Sequence, residues 1–205
     1  MPELTKGVHL DVAASVAHSR RLGCLVRESD FSPNLVVGIR EGGILPARII
    51  ADTLGAEIIG ITVQRRISRA KHSAVLRHAA RYLGSTLYRF PWVRRVLQAL
   101  NRIPGRHVVA TGAESLVGAE SRILIVDDFS CTGETFLAAE KWLQDHGANP
   151  EHIRTAALIA APDPSQSRVF YPSYMLANVS WVFFPWSSNS PHYSDYANWK
   201  RSHAL

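Results

Sequence analysis

The stretch ILIVDDFSCTGET, residues 123–135, constrains the fold of this chain more than any other segment. Four aliphatic residues lead into two adjacent carboxylates, Asp127 and Asp128, and a small polar turn that contains Gly133 follows. A continuous apolar run that ends in a turn is typical of a parallel strand buried on both faces. The next residues, FLAAEKWLQDHG, predict a helix that ends at Gly147. A strand, a turn and a helix in this order present backbone N–H groups to an anion such as a phosphate.

A second segment of the same kind lies earlier in the chain. The run LVVGI at residues 35–39 predicts a buried strand, and REGG at residues 40–43 follows it, before a helical pattern that ends at Gly55. Paired glycines directly after a strand permit backbone shapes that other residues resist, and they let a ligand approach the main chain closely. Because open α/β sheets bind ligands at the carboxyl ends of their parallel strands, both loops are expected to border one ligand site.

The remaining patterns predict an α/β fold with a mostly parallel, twisted sheet flanked by helices. The first 30 residues predict a helix capped by Asp11, with Leu22, Leu25 and Val26 among its apolar positions. Further strands are predicted at residues 57–63, 153–160, 174–177 and 180–184. The polar tail after residue 186 is expected to wrap around the surface.

Length, cysteine usage and charge narrow the class of protein. A chain of 205 residues that is 46% hydrophobic is expected to form one globular domain. Two cysteines, Cys24 and Cys131, are too few for a disulfide framework. There is no apolar run long enough to span a membrane and no signal-peptide pattern, so we expect a cytoplasmic protein. The net charge of +6 favours polyanionic partners, which are either phosphorylated small molecules or nucleic acid.

The positive charge is concentrated in one segment. Residues 58–113 contain no Asp or Glu but hold eleven of the 23 Lys and Arg residues. The apolar spacing within residues 65–106 predicts a helical insertion in a βα fold. A basic face of this kind is compatible with solvated helices, with a lid over the site, or with binding to a membrane surface or to nucleic acid. Dimerisation through the apolar faces of the same helices is a further alternative.

Residues 123–135 resemble the phosphoribosyl diphosphate (PRPP) binding motif of type I phosphoribosyltransferases, in which two acids precede a small loop that ends in Thr-Gly-x-Thr. Residues 40–43 resemble the pyrophosphate-binding loop of that family, and the resemblance extends in outline over residues 35–184. It implies an enzyme that takes PRPP and a small-molecule acceptor, uses Mg²⁺ and forms a homo-oligomer, expected to be a dimer. It also implies a single domain with a core at about residues 31–170 and a small hood formed by residues 1–30 and 171–205.

The resemblance assigns a role to each matching residue. The loop that would hold the ribose 5-phosphate consists of Ser130, Cys131, Thr132, Gly133, Glu134 and Thr135. The pyrophosphate loop consists of Arg40, Glu41, Gly42 and Gly43, with a strained peptide expected between Glu41 and Gly42. Asp127 and Asp128 would accept hydrogen bonds from the ribose hydroxyls and hold Mg²⁺. Arg65 and Arg66 are the candidates for stabilising the departing pyrophosphate.

The sequence indicates the molecule that accepts the phosphoribosyl group less specifically than it indicates PRPP, the donor of that group. The segment WVFFPW, residues 181–186, resembles the hood of bacterial and archaeal purine phosphoribosyltransferases such as the hypoxanthine and xanthine-guanine enzymes, which implies that Trp181 stacks on the acceptor beside Val182. Cys131 and Ala161 stand where those enzymes usually have an acid and a lysine, so an atypical planar acceptor stays open. The alternative is a PRPP-sensing regulator that binds nucleic acid through the basic insertion, since fold alone does not settle function.

Overall fold

The computed structural model describes residues 8–40, 42–65, 106–110, 114–160, 172–177, 182–188 and 190–202. The chain divides into two compact units, residues 1–63 together with 108–205, and residues 64–107. Almost all of the predicted insertion, and with it the predicted basic helices, lies outside the described residues, so those predictions stay untested. In the described part of the chain, no helix has both the length and the apolar character that crossing a membrane requires.

The described elements alternate between strands and helices, as the sequence predicts. The helices are α1 (Val12–Arg27), α2 (Ile44–Leu54), α3 (Glu134–Asp145) and α4 (Tyr193–Ser202). The strands are β1 (Val8–His9), β2 (Leu35–Arg40), β3 (Glu57–Arg65), β4 (Arg106–Ala110), β5 (Ile123–Ser130), β6 (Ile153–Ala160), β7 (Tyr174–Ala177) and β8 (Val182–Phe183).

Six of the strands form one sheet in the order β4-β3-β2-β5-β6-β7. Every pair from β3 to β7 is parallel, which confirms the predicted α/β fold with a mostly parallel sheet. The short strands β1 and β8 form a separate parallel pair, with Val8 opposite Val182 and His9 opposite Phe183. The described part of the predicted last strand therefore lies outside the main sheet.

The central strands β2 and β5 are buried on both faces, which explains their continuous apolar sequences. Val36 and Val126 face a cluster that includes residues of α1 and α2. Val37 and Ile125 face a second cluster, to which α3 contributes Phe136. Fully burying one aliphatic side chain of this size stabilises a fold by about 1.5–3 kcal/mol, so these two layers hold β2 and β5 firmly.

The register of the central strands determines where the site lies. Gly38 in β2 is opposite Val126 in β5, and Asp127 is opposite Ala157 in β6. The loop after β2 and the loop after β5 therefore leave the sheet at the same edge. This agrees with the expectation that both loops border one site.

Helix α1 begins where the sequence predicts, because the Asp11 carboxylate accepts a hydrogen bond from the backbone N–H of Ala14 at 2.7 Å. Its buried face includes the predicted Leu22 and Val26, but Leu25 is 41% exposed, and Ser15 and Ser19 are fully buried. Both serine hydroxyls donate to backbone carbonyl oxygens one turn earlier, at 2.8 and 2.7 Å. Because their polar groups are satisfied in this way, small serines can line the packed face of the helix.

The tail contains a helix that the sequence analysis did not predict. Residues of α4 are largely polar, and the helix has one buried residue, Tyr196. A single aromatic anchor gives no apolar periodicity, which is why the sequence predicted a surface tail over Tyr193–Ser202 but no helix within it. Helix α1 lies in residues 1–30, which were predicted to belong to the hood, but its Leu22 and Val26 are part of the core. The predicted partition into core, insertion and hood stays a prediction.

Candidate active site

The two acids lie within the last part of β5, where Asp127 is buried and Asp128 is half-buried. Asp127 is 9% exposed, and its Oδ1 accepts a hydrogen bond from the backbone N–H of Asp128 at 3.0 Å. The apolar part of β5, Ile123 to Val126, is completely buried and carries the strand to this point. The acids are thus held by a rigid central strand, as the sequence predicts for this motif.

The Asp128 carboxylate contacts both a tryptophan and a glycine. Its Oδ2 accepts a hydrogen bond from the indole Nε1 of Trp186 at 2.5 Å. A Cβ atom added to Gly42 would meet the same carboxylate, with Oδ1 at 2.6 Å and the other two carboxylate atoms closer. Burial raises the pKa of Asp128 above its ordinary value, while the hydrogen bond from Trp186 favours the charged form and opposes that rise.

Trp186 is held in turn by two aromatic rings. It stacks on Phe184 with ring centroids 4.8 Å apart and planes 6° apart. The ring of Tyr196 in α4 meets it edge-on at 5.7 Å. In the sequence, Trp186 is only the end of the WVFFPW pattern, and nothing there links it to the acid pair. The contact joins residues 58 positions apart, so no local spacing could have revealed it.

The glycines after β2 lie where the loop packs closely on β5. Gly43 has ordinary helical angles of φ −78° and ψ −11°. A Cβ atom on Gly43 would lie 2.5 Å from the carbonyl oxygen of Val126 and 2.8 Å from that of Ile39. The predicted need for unusual backbone shapes at Gly43 was therefore wrong, and the close approach of this loop to β5 replaces it as the reason. Glu41, and with it the expected strained peptide, lies outside the described residues.

The basic residues expected near the pyrophosphate are only partly described. Arg40 is the last residue of β2, and its side chain is exposed. It crosses the neighbouring strand above Gly60, where an added Cβ atom would lie 2.9 Å from Arg40 Nε. Gly60 thus leaves room for this guanidinium at the edge of the sheet. Arg65 is the last residue of β3, but its side chain and all of Arg66 lie outside the description.

The loop between β5 and α3 is a tight turn that opens onto a helix N-terminus. Ser130 is buried at the end of β5, Cys131 is half-buried, and Gly133 occupies the N-cap position with φ 72°. The Thr132 hydroxyl accepts a hydrogen bond from the backbone N–H of Glu134 at 3.4 Å. Only glycine adopts this left-handed conformation without strain, so Gly133 allows the chain to turn directly into α3, whose first turn includes Thr135. A helix N-terminus of this kind favours bound anions.

Sequence and structure comparisons identify the family of this arrangement. The model of the phosphoribosyl transferase domain matches residues 10–190. The chain belongs to this family. A comparison with curated protein sequences gives no significant match.

Three solved structures share the fold at low sequence identity. A purine phosphoribosyltransferase from Pyrococcus horikoshii is 22% identical with a TM-score of 0.56, over 87% of this chain and 92% of that one. A xanthine-guanine-hypoxanthine phosphoribosyltransferase from Helicobacter pylori is 16% identical with a TM-score of 0.57, over 95% and 98%. A hypothetical protein from Neisseria gonorrhoeae with bound ppGpp is 12% identical with a TM-score of 0.59, over 97% and 98%. At these identities the likeness establishes the fold alone.

Family membership confirms the resemblance inferred from residues 123–135, together with the predicted enzyme class, a PRPP-dependent phosphoribosyltransferase. The structure brings the matched glycine loop and acid pair of this phosphoribosyl transferase domain together, through the contact of Gly42 with Asp128. It does not test the individual roles of the site residues. Trp181 lies outside the described residues, and Val182 is half-buried in β8.

Few side chains among the described residues are placed to bind a metal ion. In the parts of the phosphoribosyl transferase domain that the structure describes, no three His, Cys, Asp or Glu side chains gather around one point. The carboxylates of Asp127 and Asp128 nevertheless suit Mg²⁺, a hard cation that prefers oxygen and often takes only one or two carboxylates beside water and substrate phosphates. The acid pair therefore fits an ion that is held chiefly by its substrate.

Proposed function

We propose that this phosphoribosyltransferase transfers the 5-phosphoribosyl group from PRPP to a purine-like base or another planar acceptor, in the presence of Mg²⁺, and releases pyrophosphate. The proposal rests on one observation: two loops of the kind that bind phosphate, the glycine loop after β2 and the turn before α3, both lie near Asp128. The glycine loop after β2 packs directly on the Asp128 carboxylate, and the turn that leads into α3 starts three residues later, after the end of β5 at Ser130. A substrate with a phosphate and a pyrophosphate on one ribose has groups for both loops.

The turn before α3 supplies the site for the 5-phosphate. Gly133 and the residues after it offer backbone N–H groups at the start of a helix, where the helix dipole also favours negative charge. The hydroxyls of Thr132 and Thr135 are the side-chain donors proposed for the same phosphate, and Ser130, Cys131 and Glu134 complete the loop. Anchoring the 5-phosphate fixes one end of the ribose and so orients its C1 atom.

The acid pair is proposed to hold the ribose. Asp127 and Asp128 accept hydrogen bonds from the ribose 2- and 3-hydroxyls and offer carboxylate oxygens to Mg²⁺. When bound, the ion supplies positive charge beside the pyrophosphate oxygens. Asp128 must be charged for this task, and a neighbouring cation lowers the pKa that burial raises.

The reaction then follows from where charge develops. The C1–O bond breaks toward an oxocarbenium-like centre, and its electron pair leaves with the pyrophosphate. A lone pair of the acceptor forms the new bond to C1, and the acceptor's displaced proton passes to solvent. The glycine loop, Arg40 to Gly43, is proposed to receive this leaving group. Gly42 and Gly43 let the backbone come close, and Arg40 contributes an exposed guanidinium. Arg65 and Arg66 are proposed to add charge at the same stage.

A purine-like base is the first choice of acceptor. Residues 181–186 resemble the hood of purine enzymes, and two structures of the same fold carry the names of purine phosphoribosyltransferases. Trp181 is proposed to stack on the flat base, with Val182 next to it. Cys131 and Ala161 differ from the residues usual in 6-oxopurine enzymes, so the proposal extends to other planar acceptors.

The proposal is tested by incubating the full chain with PRPP and Mg²⁺ and measuring pyrophosphate release over a panel of purines, pyrimidines and small nucleophiles. At least one acceptor is expected to release pyrophosphate, and Asp128→Asn is expected to lower that rate by at least about tenfold. Asp145→Asn is the matched control, because Asp145 forms an exposed ion pair with Lys141 at 3.1 Å on the far part of α3. Equal rates for wild type and Asp128→Asn would show that the site is misplaced.

The concentration of eleven cations in an acid-free segment supports one alternative, a PRPP-sensing regulator that binds nucleic acid. Under that alternative PRPP binds, no acceptor in the panel releases pyrophosphate, and nucleic acid binds at physiological salt. The homodimer and the cytoplasmic location expected from the sequence also stay proposals. A solution mass measured before and after deletion of residues 73–104 tests whether the insertion carries the dimer contact.

A further inference from the structure

The contact between Trp186 and Asp128 joins the C-terminal segment to the acid pair. The indole N–H is a donor without an acceptor function, and a carboxylate is an acceptor, so the pair has one unambiguous polarity. A hydrogen bond to a charged group is stronger than one between neutral groups. This bond therefore constrains where one oxygen of Asp128 points.

The glycine loop after β2 packs on the same carboxylate. An added Cβ atom at Gly42 would meet all three atoms of the Asp128 carboxylate, including Oδ2, which accepts the indole hydrogen bond. Both groups that contact the carboxylate are held by further contacts. Gly43 N donates to Ile39 O at 2.8 Å, and Trp186 is stacked on Phe184 at 4.8 Å.

We propose that Trp186 is a positioning residue of the phosphoribosyl transfer site, whose indole N–H fixes the Asp128 carboxylate in the orientation that accepts the ribose hydroxyls. This inference rests on the proposed function, since it assumes that Asp128 binds the ribose of PRPP. It assigns to the C-terminal segment a task in donor binding, distinct from the stacking on the acceptor that is proposed for Trp181.

The aromatic cluster gives the indole its fixed position. Phe184 is 5% exposed and Tyr196 is 7% exposed, so both rings are buried. Phe184 stacks on Trp186, and Tyr196 makes a T-shaped contact with it. Helix α4 supplies Tyr196, which gives the tail helix a role in supporting the site. Displacement of a reacting or binding group by about 1 Å can lower turnover by about a hundredfold. Rings that hold the indole in place can therefore affect turnover measurably.

The test replaces Trp186 by phenylalanine, which keeps the aromatic stack and removes the N–H. The PRPP dissociation constant, measured by calorimetry with Mg²⁺, is expected to rise about tenfold (~1.4 kcal/mol), the size of one hydrogen bond to a charged group. The KM for PRPP is expected to rise similarly, with the KM for the acceptor unchanged. Trp142→Phe is the control, because Trp142 in α3 is half-buried and tilted against His146 at 4.3 Å, away from the acid pair.

A double-mutant cycle separates positioning from packing. If Trp186 acts through Asp128, Trp186→Phe changes the PRPP dissociation constant of the Asp128→Asn variant much less than that of wild type. An equal change in both backgrounds, or unchanged PRPP affinity in Trp186→Phe, overturns the inference, as does a rise in the acceptor KM alone. Melting temperatures of all variants check that each is folded.

The indole N–H resonance of Trp186, assigned through Trp186→Phe in a ¹⁵N-labelled protein, gives a readout without substrate. It is expected to shift in Asp128→Asn and to stay in place in Asp145→Asn, and no shift in Asp128→Asn overturns the inference. A wild type that binds no PRPP would instead refute the proposed function. A wild type that binds PRPP together with an unaffected Trp186→Phe variant would refute only the role of Trp186.

Discussion

Gly42→Ala tests the geometry on which the site is built. The added Cβ atom would lie 2.6 Å from Oδ1 of Asp128, whereas an ordinary van der Waals contact begins at 3.4 Å. Because the other two carboxylate atoms would lie closer still, the carboxylate or the loop must move by more than about 0.8 Å, the difference between these two distances. Because the indole N–H of Trp186 bonds Oδ2 of the same carboxylate, movement of the carboxylate strains that hydrogen bond, and movement of the loop lifts it from β5.

The size of the expected effect follows from that displacement. A shift of about 1 Å in a positioned group can lower turnover by about a hundredfold, so we expect Gly42→Ala to reduce kcat/KM for PRPP by about thirty- to a hundredfold. Overpacking a tight contact also destabilises a fold by about 1–3 kcal/mol, so unfolding in urea is measured in parallel. The rate is compared only at temperatures where the variant is fully folded.

Gly118→Ala is the matched control for this substitution. Gly118 has no positive φ, and the nearest atom to an added Cβ would be Ser121 Oγ at 4.0 Å. It is expected to leave the PRPP kinetics unchanged. A Gly42→Ala enzyme with wild-type kcat/KM would refute the claim that the glycine loop and Asp128 form one tightly packed unit.

Three further substitutions test separate parts of the account. Burial raises the pKa of Glu140 in α3, so the folded state binds this proton more tightly than the unfolded state does. The folded state therefore loses stability as pH rises through the raised pKa. Glu140→Gln should raise the urea midpoint relative to wild type more at about pH 7 than at about pH 4. Asp11→Ala removes the cap that accepts from Ala14 and should lower the free energy of unfolding by about 1 kcal/mol, with PRPP kinetics unchanged. Cys131→Ser should leave turnover close to that of wild type if the half-buried thiol only fills space, and a large loss would assign it a role in the reaction.

The parts of the fold that the sequence predicts are those with a continuous local signal. Strand β5 and helix α3 follow from an apolar run, a turn and an amphipathic pattern, and Gly147 with φ 94° ends the helix region as expected. The buried serines of α1 gave no such signal, because their burial depends on hydrogen bonds to the preceding turn. Helix α4 gave none either, since one buried tyrosine anchors it.

The same distinction holds for the candidate site. The residues of the acid pair and its loop could be named from spacing alone, since phosphate loops of this kind are contiguous. The contacts between Asp128, Gly42 and Trp186 are between distant segments, and only the folded chain shows them. The sequence predicted glycines in this loop for their backbone freedom. The structure gives a different reason for Gly43, which is needed because β5 lies so close.

The most direct test of the central claim is the detection of the transferred group itself. The full chain is incubated with PRPP, Mg²⁺ and each acceptor of the panel, and products are analysed by mass spectrometry together with pyrophosphate release. The account predicts a product with the mass of one acceptor plus one phosphoribosyl group, formed in equal amount to the pyrophosphate and strongly reduced in Asp128→Asn. Binding of PRPP with no such product from any acceptor in a broad panel would contradict it.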